Sequence, residues 1–221
     1  MQTGRSPEKL RETLGDYDDL CIQLLAERGF DFATYAVLDG EFPVSAGDAD
    51  GWLITGSRFG VYEDHSWIPP LESFLRAAYS ESVPIVGICF GHQILAQALG
   101  GKVEKSCAGW SVGVVDYAID GFESTLPLVA WHQDQVIVPP AEARTIGFSD
   151  SCPHAVLAYG DRALTIQPHP EFTSEFLAGL FEARRHLLPS DRLESGLRSL
   201  EQEVSSAPIA RAIAEFFQRR R

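Results

Sequence analysis

The stretch from Val83 to Gln93 is the feature of this sequence that most constrains its fold. The residues up to Ile88 are mostly apolar and predict a buried strand, whereas the residues after Gly91 have helical spacing. Cys89 lies between the two, within the pattern Gly-x-Cys-x-Gly. Because glycine allows tight turns and close backbone approach, this pattern predicts a sharp corner that presents the cysteine side chain.

A cysteine at such a corner is a candidate nucleophile. The N-terminus of the following helix offers free N–H groups and a partial positive charge, both of which favour thiolate over thiol. A lone cysteine is more often buried and inert, but the strand–turn–helix context of Cys89 favours the reactive alternative. The other cysteines, Cys21, Cys107 and Cys152, have no such context, and their wide spacing predicts neither a disulfide framework nor a zinc site.

The remaining pattern predicts an α/β fold. In the first half, strands predicted at 32–38, 52–55 and 83–88 alternate with helices, which are expected over 69–80, over 91–99 and from residue 6 to residue 29 with a break near Gly15. The second half predicts short strands at 112–119, 128–131, 135–138, 155–159 and 163–167, then helices over 171–186, 193–204 and 209–217. We expect a flavodoxin-like, mostly parallel central sheet with helices on both faces.

Length and composition are typical of one hydrophobic core, since 221 residues are 45% hydrophobic. We predict a main domain over 1–188 and a C-terminal helical extension over 189–221 that packs on it. An α/β domain usually opens with a strand, whereas this chain reaches its first helix almost at once. Two explanations stay open: the first strand lies ahead of a misassigned start, or the sheet forms without it.

Charge and hydropathy exclude several partners. The net charge of −13 argues against nucleic acid or an anionic membrane surface as the main partner. No apolar run approaches the roughly 20 residues that span a bilayer. The sequence also opens without the apolar segment of a signal peptide, and its cysteine usage fits a reducing, cytoplasmic location.

A second motif supplies the base that a reactive thiol needs. His169 directly follows a predicted strand and lies between Pro168 and Pro170, which stiffen the turn on both sides. Glu171 is two residues further on and could orient the imidazole and stabilise its protonated form. A histidine between prolines is often structural, but its placement at a second strand end predicts that it meets Cys89.

The two motifs together resemble the class I, or triad-type, glutamine amidotransferases. The resemblance rests on 87–93 and 167–171, covers roughly 50–172, and is greatest to small stand-alone members similar to the amidotransferase part of GMP synthase and to γ-glutamyl peptidases. It implies that Cys89 attacks the side-chain amide of glutamine, that His169 transfers the protons, and that Glu171 is the third member of the triad. No cofactor or metal is implied, because a thiolate and an oxyanion hole suffice.

The resemblance also implies the surroundings of the triad. The backbone amides of Ser57 and Phe90 would form the oxyanion hole, although this chain has Gly56-Ser57-Arg58 where the family commonly has Gly-Gly-Pro, a turn that favours positive φ. Pro168 also departs from the family, which usually has Phe there. The residues implied to contact the substrate are Gly56, Gln93, Trp131, His132, Gln133 and Asp134.

Three functions remain open on the sequence. The first is a glutaminase that passes ammonia to a separate acceptor enzyme, since the roughly fifty residues after Glu171 are too few for a synthetase domain. The second is a stand-alone γ-glutamyl hydrolase or peptidase, and the third is a non-catalytic binding module. An α/β hydrolase of the dienelactone hydrolase type is a remoter alternative, because its corner also has Gly-x-Cys-x-Gly. The spacing of His169 and Glu171 favours the amidotransferase.

Overall fold

The computed structural model describes residues 1–219 and shows an α/β fold built on a seven-stranded sheet. The helices are α1 (Glu8–Leu14), α2 (Tyr17–Leu24), α3 (Ile68–Ser80), α4 (Phe90–Ala98), α5 (Ser174–Arg184), α6 (Ser190–Ser199) and α7 (Ser206–Gln218). The strands are β1 (Trp52–Ile54), β2 (Ile85–Ile88), β3 (Lys102–Lys105), β4 (Ser111–Ile119), β5 (Leu126–His132), β6 (Asp134–Val138), β7 (Arg144–Ser149), β8 (Cys152–Tyr159) and β9 (Ala163–Ile166).

The sheet has the order β1-β2-β9-β8-β7-β4-β5, and β3 and β6 form a separate two-stranded ribbon. β1, β2 and β9 run parallel to one another, whereas every other neighbouring pair in the sheet is antiparallel. The parallel half needs a helical crossover between successive strands, and α3 connects β1 to β2 in this way. The carboxyl ends of β1, β2 and β9 therefore meet at one edge.

Helices cover both faces of this parallel half. On β2, Ile85 belongs to the core that contains Leu71 of α3 and Ile94 of α4. The next residue, Val86, belongs to the opposite core, which contains Ile213 of α7. This alternation follows from the two-residue period of a strand and explains why β2 is apolar throughout.

The structure confirms the α/β fold and most predicted elements, but it corrects the prediction for 32–38. That segment contains no strand: Gln2 bridges to Ala36, and a short 3₁₀ helix follows at Val37–Asp39. Next to it, the amino group of Met1 donates to the carbonyl of Leu53 over 2.7 Å. Residues 1–3 pair with this edge of β1, and a groove of about 740 Å³ lies between β1 and residues 29–35. Residues 32–38 meet residues 1–3 at the single bridge of Ala36 and form no ladder.

Three further features bear on the predictions. α1 and α2 are separated at Gly15, as predicted, because its φ of +94° interrupts the helix and Asp16 caps α2. Strands β3 and β7 were absent from the sequence prediction. α7 contributes Ile209 and Ile213 to the core. The division into a domain over 1–188 and an extension over 189–221 stays a prediction, and residues 220 and 221 of that extension lie outside the described residues. Within residues 1–219, the helices are too short or too polar to span a bilayer.

Candidate active site

The corner at Cys89 has the predicted geometry. Cys89 lies between β2 and α4 with φ +52° and ψ −99°, a backbone conformation that is rare for a residue other than glycine. Its amide donates to the carbonyl of Ile166 over 2.8 Å, which ties the corner to the end of β9. A Cβ added at Gly87 would lie 2.4 Å from the carbonyl oxygen of Gly91, so the turn leaves no room for a side chain there.

Gly56 follows β1 and lies directly against both candidate catalytic side chains. A Cβ added to it would lie 3.0 Å from Cε1 of His169 and 3.7 Å from Cβ of Cys89. The turn is anchored by Thr3, whose hydroxyl donates to the carbonyl of Gly56 over 3.0 Å and whose carbonyl accepts from the Ser57 hydroxyl over 2.8 Å. The carboxyl ends of β1, β2 and β9 therefore bring Gly56, Cys89 and His169 together.

Ser57 fits this turn without the positive φ that a Gly-Gly-Pro turn would favour. Among residues 1–219, the residues other than glycine with positive φ are Glu27, Ser82 and Cys89. The replacement of glycine by Ser57 therefore introduces no backbone strain of that kind. On the opposite side, Phe90 is the first residue of α4, so its amide has no acceptor within the helix.

His169 and Glu171 form a buried pair. Nδ1 of His169 lies 2.7 Å from Oε1 of Glu171, and the two residues are 4% and 5% exposed. The His169 amide donates to the carbonyl of Val129 on β5 over 2.7 Å, which holds the turn against the sheet. The Nδ1–H group thus donates to the carboxylate, and Nε2 remains for a second partner.

The side chain of Cys89 also lies close enough to the imidazole of His169 to shift its pKa. Burial alone would lower the pKa of His169, but the negative charges of Glu171 and Cys89 and the hydrogen bond to Glu171 raise it to about 10. His169 is therefore positively charged at neutral pH when Cys89 is a thiolate. An imidazolium between a thiolate and a carboxylate has the arrangement needed for nucleophilic catalysis.

The residues expected to contact the substrate do not all reach the same place. Gln93 is buried, and its amide group donates to the carbonyl of Asp134 over 2.8 Å and to Oε1 of Gln167 over 3.0 Å. Trp131 packs between Trp110 and Phe181 in the core. These contacts make Gln93 and Trp131 part of the wall behind the site.

His132 lies near the triad, whereas Asp134 lies nearer the surface. Burial, and then the positive charge of His169, lower the pKa of His132 to about 3, so its ring is neutral at physiological pH. The carboxylate of Asp134 is half-buried, and burial raises its pKa despite a hydrogen bond from Tyr62 to Oδ2 over 3.0 Å. Its other oxygen, Oδ1, is buried and has no partner within residues 1–219. Gln133 lies between them, and its carbonyl accepts from the Ser106 amide.

The structure adds two residues that the sequence analysis did not single out. Tyr62 reaches Asp134 from a loop, and Phe172 stacks on the imidazole of His169 with ring centroids 4.0 Å apart. The aromatic character of Phe172, next to Glu171, was the one available signal for the second contact. The loop of Tyr62 packs inward as well, since Trp67 lies 5.5 Å from Phe90 between ring centroids.

No group of three or more histidine, cysteine, aspartate or glutamate side chains within residues 1–219 is arranged to hold a metal ion. The polar groups that the structure brings together are those of a proton-transfer site. Cys89, His169 and Glu171 are contiguous, Gly56 packs against the first two, and Ser57 and Phe90 directly follow Gly56 and Cys89 in the chain.

Comparison with known proteins identifies the family. The family model of the class-I glutamine amidotransferases matches residues 17–178. The chain is 32% identical to γ-glutamyl peptidase 2 of Arabidopsis thaliana over 194 residues, which cover 82% of this chain and 78% of the relative. It is also 32% identical to the glutamine-hydrolysing GMP synthase of Aeropyrum pernix over 145 residues, 59% of this chain but 28% of that enzyme.

A solved structure has the same fold. The glutamine amidotransferase of Methylobacillus flagellatus superposes with a TM-score of 0.75 at 21% identity, covering 90% of this chain and 86% of that one. The family model spans the strands and turns that carry Cys89 and His169. The chain therefore belongs to the class-I glutamine amidotransferase family.

Proposed function

We propose that this protein hydrolyses γ-glutamyl amide bonds through a covalent thioester on Cys89, with glutamine as the first candidate substrate. The observation that carries the proposal is the meeting of Cys89, His169 and Glu171 at the carboxyl ends of β2 and β9, where Gly56 packs against Cys89 and His169 and His169 is hydrogen-bonded to Glu171. Each group has the chemistry that its position requires: a nucleophile, a proton carrier and a carboxylate that orients the carrier.

In the proposed reaction, the sulfur of Cys89 attacks the γ-carbonyl carbon while its proton resides on Nε2 of His169. The tetrahedral intermediate expels the amine, which takes that proton and leaves as ammonia when the substrate is glutamine. Water then attacks the γ-glutamyl thioester, giving its proton to His169, and the thiolate of Cys89 leaves as glutamate is released. Glu171 keeps the imidazole in the tautomer whose Nε2 carries these protons.

The negative oxygen of each tetrahedral intermediate needs hydrogen-bond donors. We assign this role to the amides of Phe90, which follows Cys89 in the chain, and of Ser57, which follows Gly56 at the turn that packs against Cys89. The Phe90 amide belongs to the first turn of α4 and shares its partial positive charge. Ser57 is held in place by its hydrogen bond to Thr3.

Asp134 is the best-suited group for the substrate's α-ammonium. Its Oδ1 is buried without a partner, whereas Tyr62 holds Oδ2, so one oxygen remains for a cation. Gln93 fixes the backbone of Asp134 from behind. Gly56, Trp131, His132 and Gln133 would complete the walls of the substrate site.

The second candidate is hydrolysis of γ-glutamyl peptides by the chain alone. The similarity to γ-glutamyl peptidase 2 covers 78% of that relative, whereas it covers 28% of the GMP synthase, which has a large part without a counterpart here. Both candidates share the thioester and differ only in the leaving amine. If glutamine is the substrate, the ammonia would pass to a separate acceptor enzyme. For either candidate, we expect the protein to act in the cytoplasm.

The test is to incubate the purified chain with glutamine or with a panel of γ-glutamyl dipeptides and to measure glutamate release. We expect release from at least one substrate, loss of release in Cys89→Ala, and no loss in Cys107→Ala, which removes an exposed cysteine outside the site. A glutamine-like chloroketone should label Cys89 alone. Absence of both turnover and labelling would support the binding-module alternative instead.

A further inference from the structure

The face of the His169 imidazole is covered by the ring of Phe172. The two ring centroids are 4.0 Å apart and the planes differ by 5°, the closest and most nearly parallel ring contact within residues 1–219. Phe172 is 2% exposed, so water does not reach this side of the imidazole. Phe172 lies next to Glu171 in the chain and belongs to the buried hydrophobic cluster that also contains Tyr17 and Phe176.

Phe172 is itself held from behind by two helices. Its ring centroid lies 5.8 Å from that of Tyr17 on α2 and 4.5 Å from that of Phe176 on α5. Tyr17 in turn interacts electrostatically with Arg184 at the end of α5. The surface beneath the imidazole is therefore supported by the fold and not only by the turn that carries His169.

The hydrogen bond between His169 and Glu171 leaves one rotation of the imidazole weakly restrained. It lies in the plane of the ring, at Nδ1, so it opposes rotation of the ring out of that plane only weakly. The charge of Cys89 acts on His169 as well but does not fix the tilt of the ring. A flat aromatic surface against the face of the ring opposes this rotation, and it also stabilises a protonated imidazole by a cation–π contact.

We infer that Phe172 is a positioning residue that fixes the plane of the His169 imidazole and thereby directs its nitrogen at Cys89. The effect of Phe172 on catalysis rests on the proposed function, whereas the contact between the rings of Phe172 and His169 does not. The titratable groups that face His169 are Cys89, Glu171 and the neutral His132, and none of them is altered when Phe172 is replaced.

The test compares Phe172→Leu with Phe172→Tyr, which keeps the ring, and with Phe74→Leu, which removes a ring that packs on Trp52 elsewhere in the core. The first readout is the rate of alkylation of Cys89 by iodoacetamide, without substrate, between about pH 5 and pH 10, a range that brackets the ordinary thiol pKa of about 8.5. We expect Phe172→Leu to shift this profile to higher pH, because the thiolate–imidazolium pair is weakened, while the other two variants keep the profile of the unaltered protein.

The second readout is turnover of the substrate found above. Phe172→Leu should lower kcat by about tenfold with KM nearly unchanged, because a small displacement of a catalytic group costs rate more than binding. Circular dichroism and thermal melting establish that each variant is folded, and Phe172→Met replaces Phe172→Leu if the latter does not fold. A Phe172→Leu profile and kcat like those of the unaltered protein, or equal changes in Phe74→Leu, would overturn the inference. If no γ-glutamyl compound is hydrolysed but the alkylation profile still shifts, the proposed function fails and the positioning role stands.

Discussion

The carboxylate of Glu171 lies 2.7 Å from Nδ1 of His169, and both side chains are almost completely buried. The two residues are only two positions apart in the chain, with Pro170 between them. A buried carboxylate placed so close to an imidazole favours its protonated form more than a solvent-exposed one would, because the surrounding dielectric is low. The properties of the site that can be tested most directly follow from this pair.

Replacing Glu171 by glutamine should move the alkaline limit of activity to lower pH. The charge of Glu171 helps to hold the pKa of His169 near 10, so the imidazolium that protonates the leaving amine persists in alkaline solution. Without that charge, the pKa of His169 falls towards its ordinary value, and kcat/KM at pH 8 should fall about 10²-fold. The measurement is kcat/KM against pH. Glu175→Gln, at an exposed position of α5, is the control. An alkaline limb at the same pH in Glu171→Gln would show that the carboxylate does not set it.

Gly56→Ala should impair catalysis while leaving the fold almost unchanged. The added methyl would lie 3.0 Å from Cε1 of His169, a distance at which the imidazole must move. Because a misplaced catalytic group costs on the order of 10²-fold in rate, we expect a decrease of that size in kcat. Gly47→Ala is the matched control, since its methyl would approach nothing closer than 3.9 Å. Equal kcat values for the two variants would contradict the assigned geometry.

Asp134→Asn should raise KM much more than it lowers kcat. The neutral amide can no longer pair with the substrate's ammonium, and a charge-assisted hydrogen bond is worth about 1.5–3 kcal/mol, or roughly tenfold to 100-fold in binding. Tyr62→Phe should give a smaller rise, because it removes only the partner of Oδ2. The measurement is steady-state kinetics with glutamine, and Asp116→Asn on the exposed side of β4 is the control. An unchanged KM in Asp134→Asn would place the ammonium elsewhere.

The free energy of unfolding should fall below about pH 6.5 and again above about pH 8, because between these values the loss at His169 is offset by the buried amino group of Met1, whose pKa burial lowers to about 6. Burial lowers the pKa values of His92 and His132 to about 3, so the unfolded chain binds protons that the folded protein does not as the pH falls from 6.5 towards 3. Each of these histidines then lowers the free energy of unfolding by about 1.4 kcal/mol per pH unit. His169 acts in the opposite sense: its raised pKa contributes stability that is complete below pH 6.5 and is lost as the pH rises to about 10.

The acid limb can be measured by urea unfolding at pH 7, 6 and 5 (steps of one unit, each about 1.4 kcal/mol per group). His92→Gln should reduce the dependence on pH by about that amount per unit, whereas His186→Gln, at an exposed position, should not. An equal dependence of the free energy of unfolding on pH in all three proteins would show that His92 binds protons equally in the folded and unfolded states.

Most of the strands and helices and the nature of the corner at Cys89 could be read from the sequence. A buried strand, a glycine-flanked cysteine and a helix follow one another within eleven residues, and local backbone preferences are enough to specify that turn. The same holds for His169 and Glu171, which are joined by a stiff proline turn. The break at Gly15 was predicted for a similar local reason, because a glycine with positive φ interrupts a helix.

Contacts between distant segments could not be read in this way. The strand predicted at 32–38 is replaced by one bridge, from Gln2 to Ala36, and a 3₁₀ helix, and the local pattern of the segment does not indicate this. The antiparallel half, the bond from Tyr62 to Asp134, and the stack of Tyr17, Phe172 and His169 likewise depend on which faces meet after folding. Local periodicity specifies the backbone of each element, whereas the partners of a side chain follow from packing across the whole chain, which no short window of sequence contains.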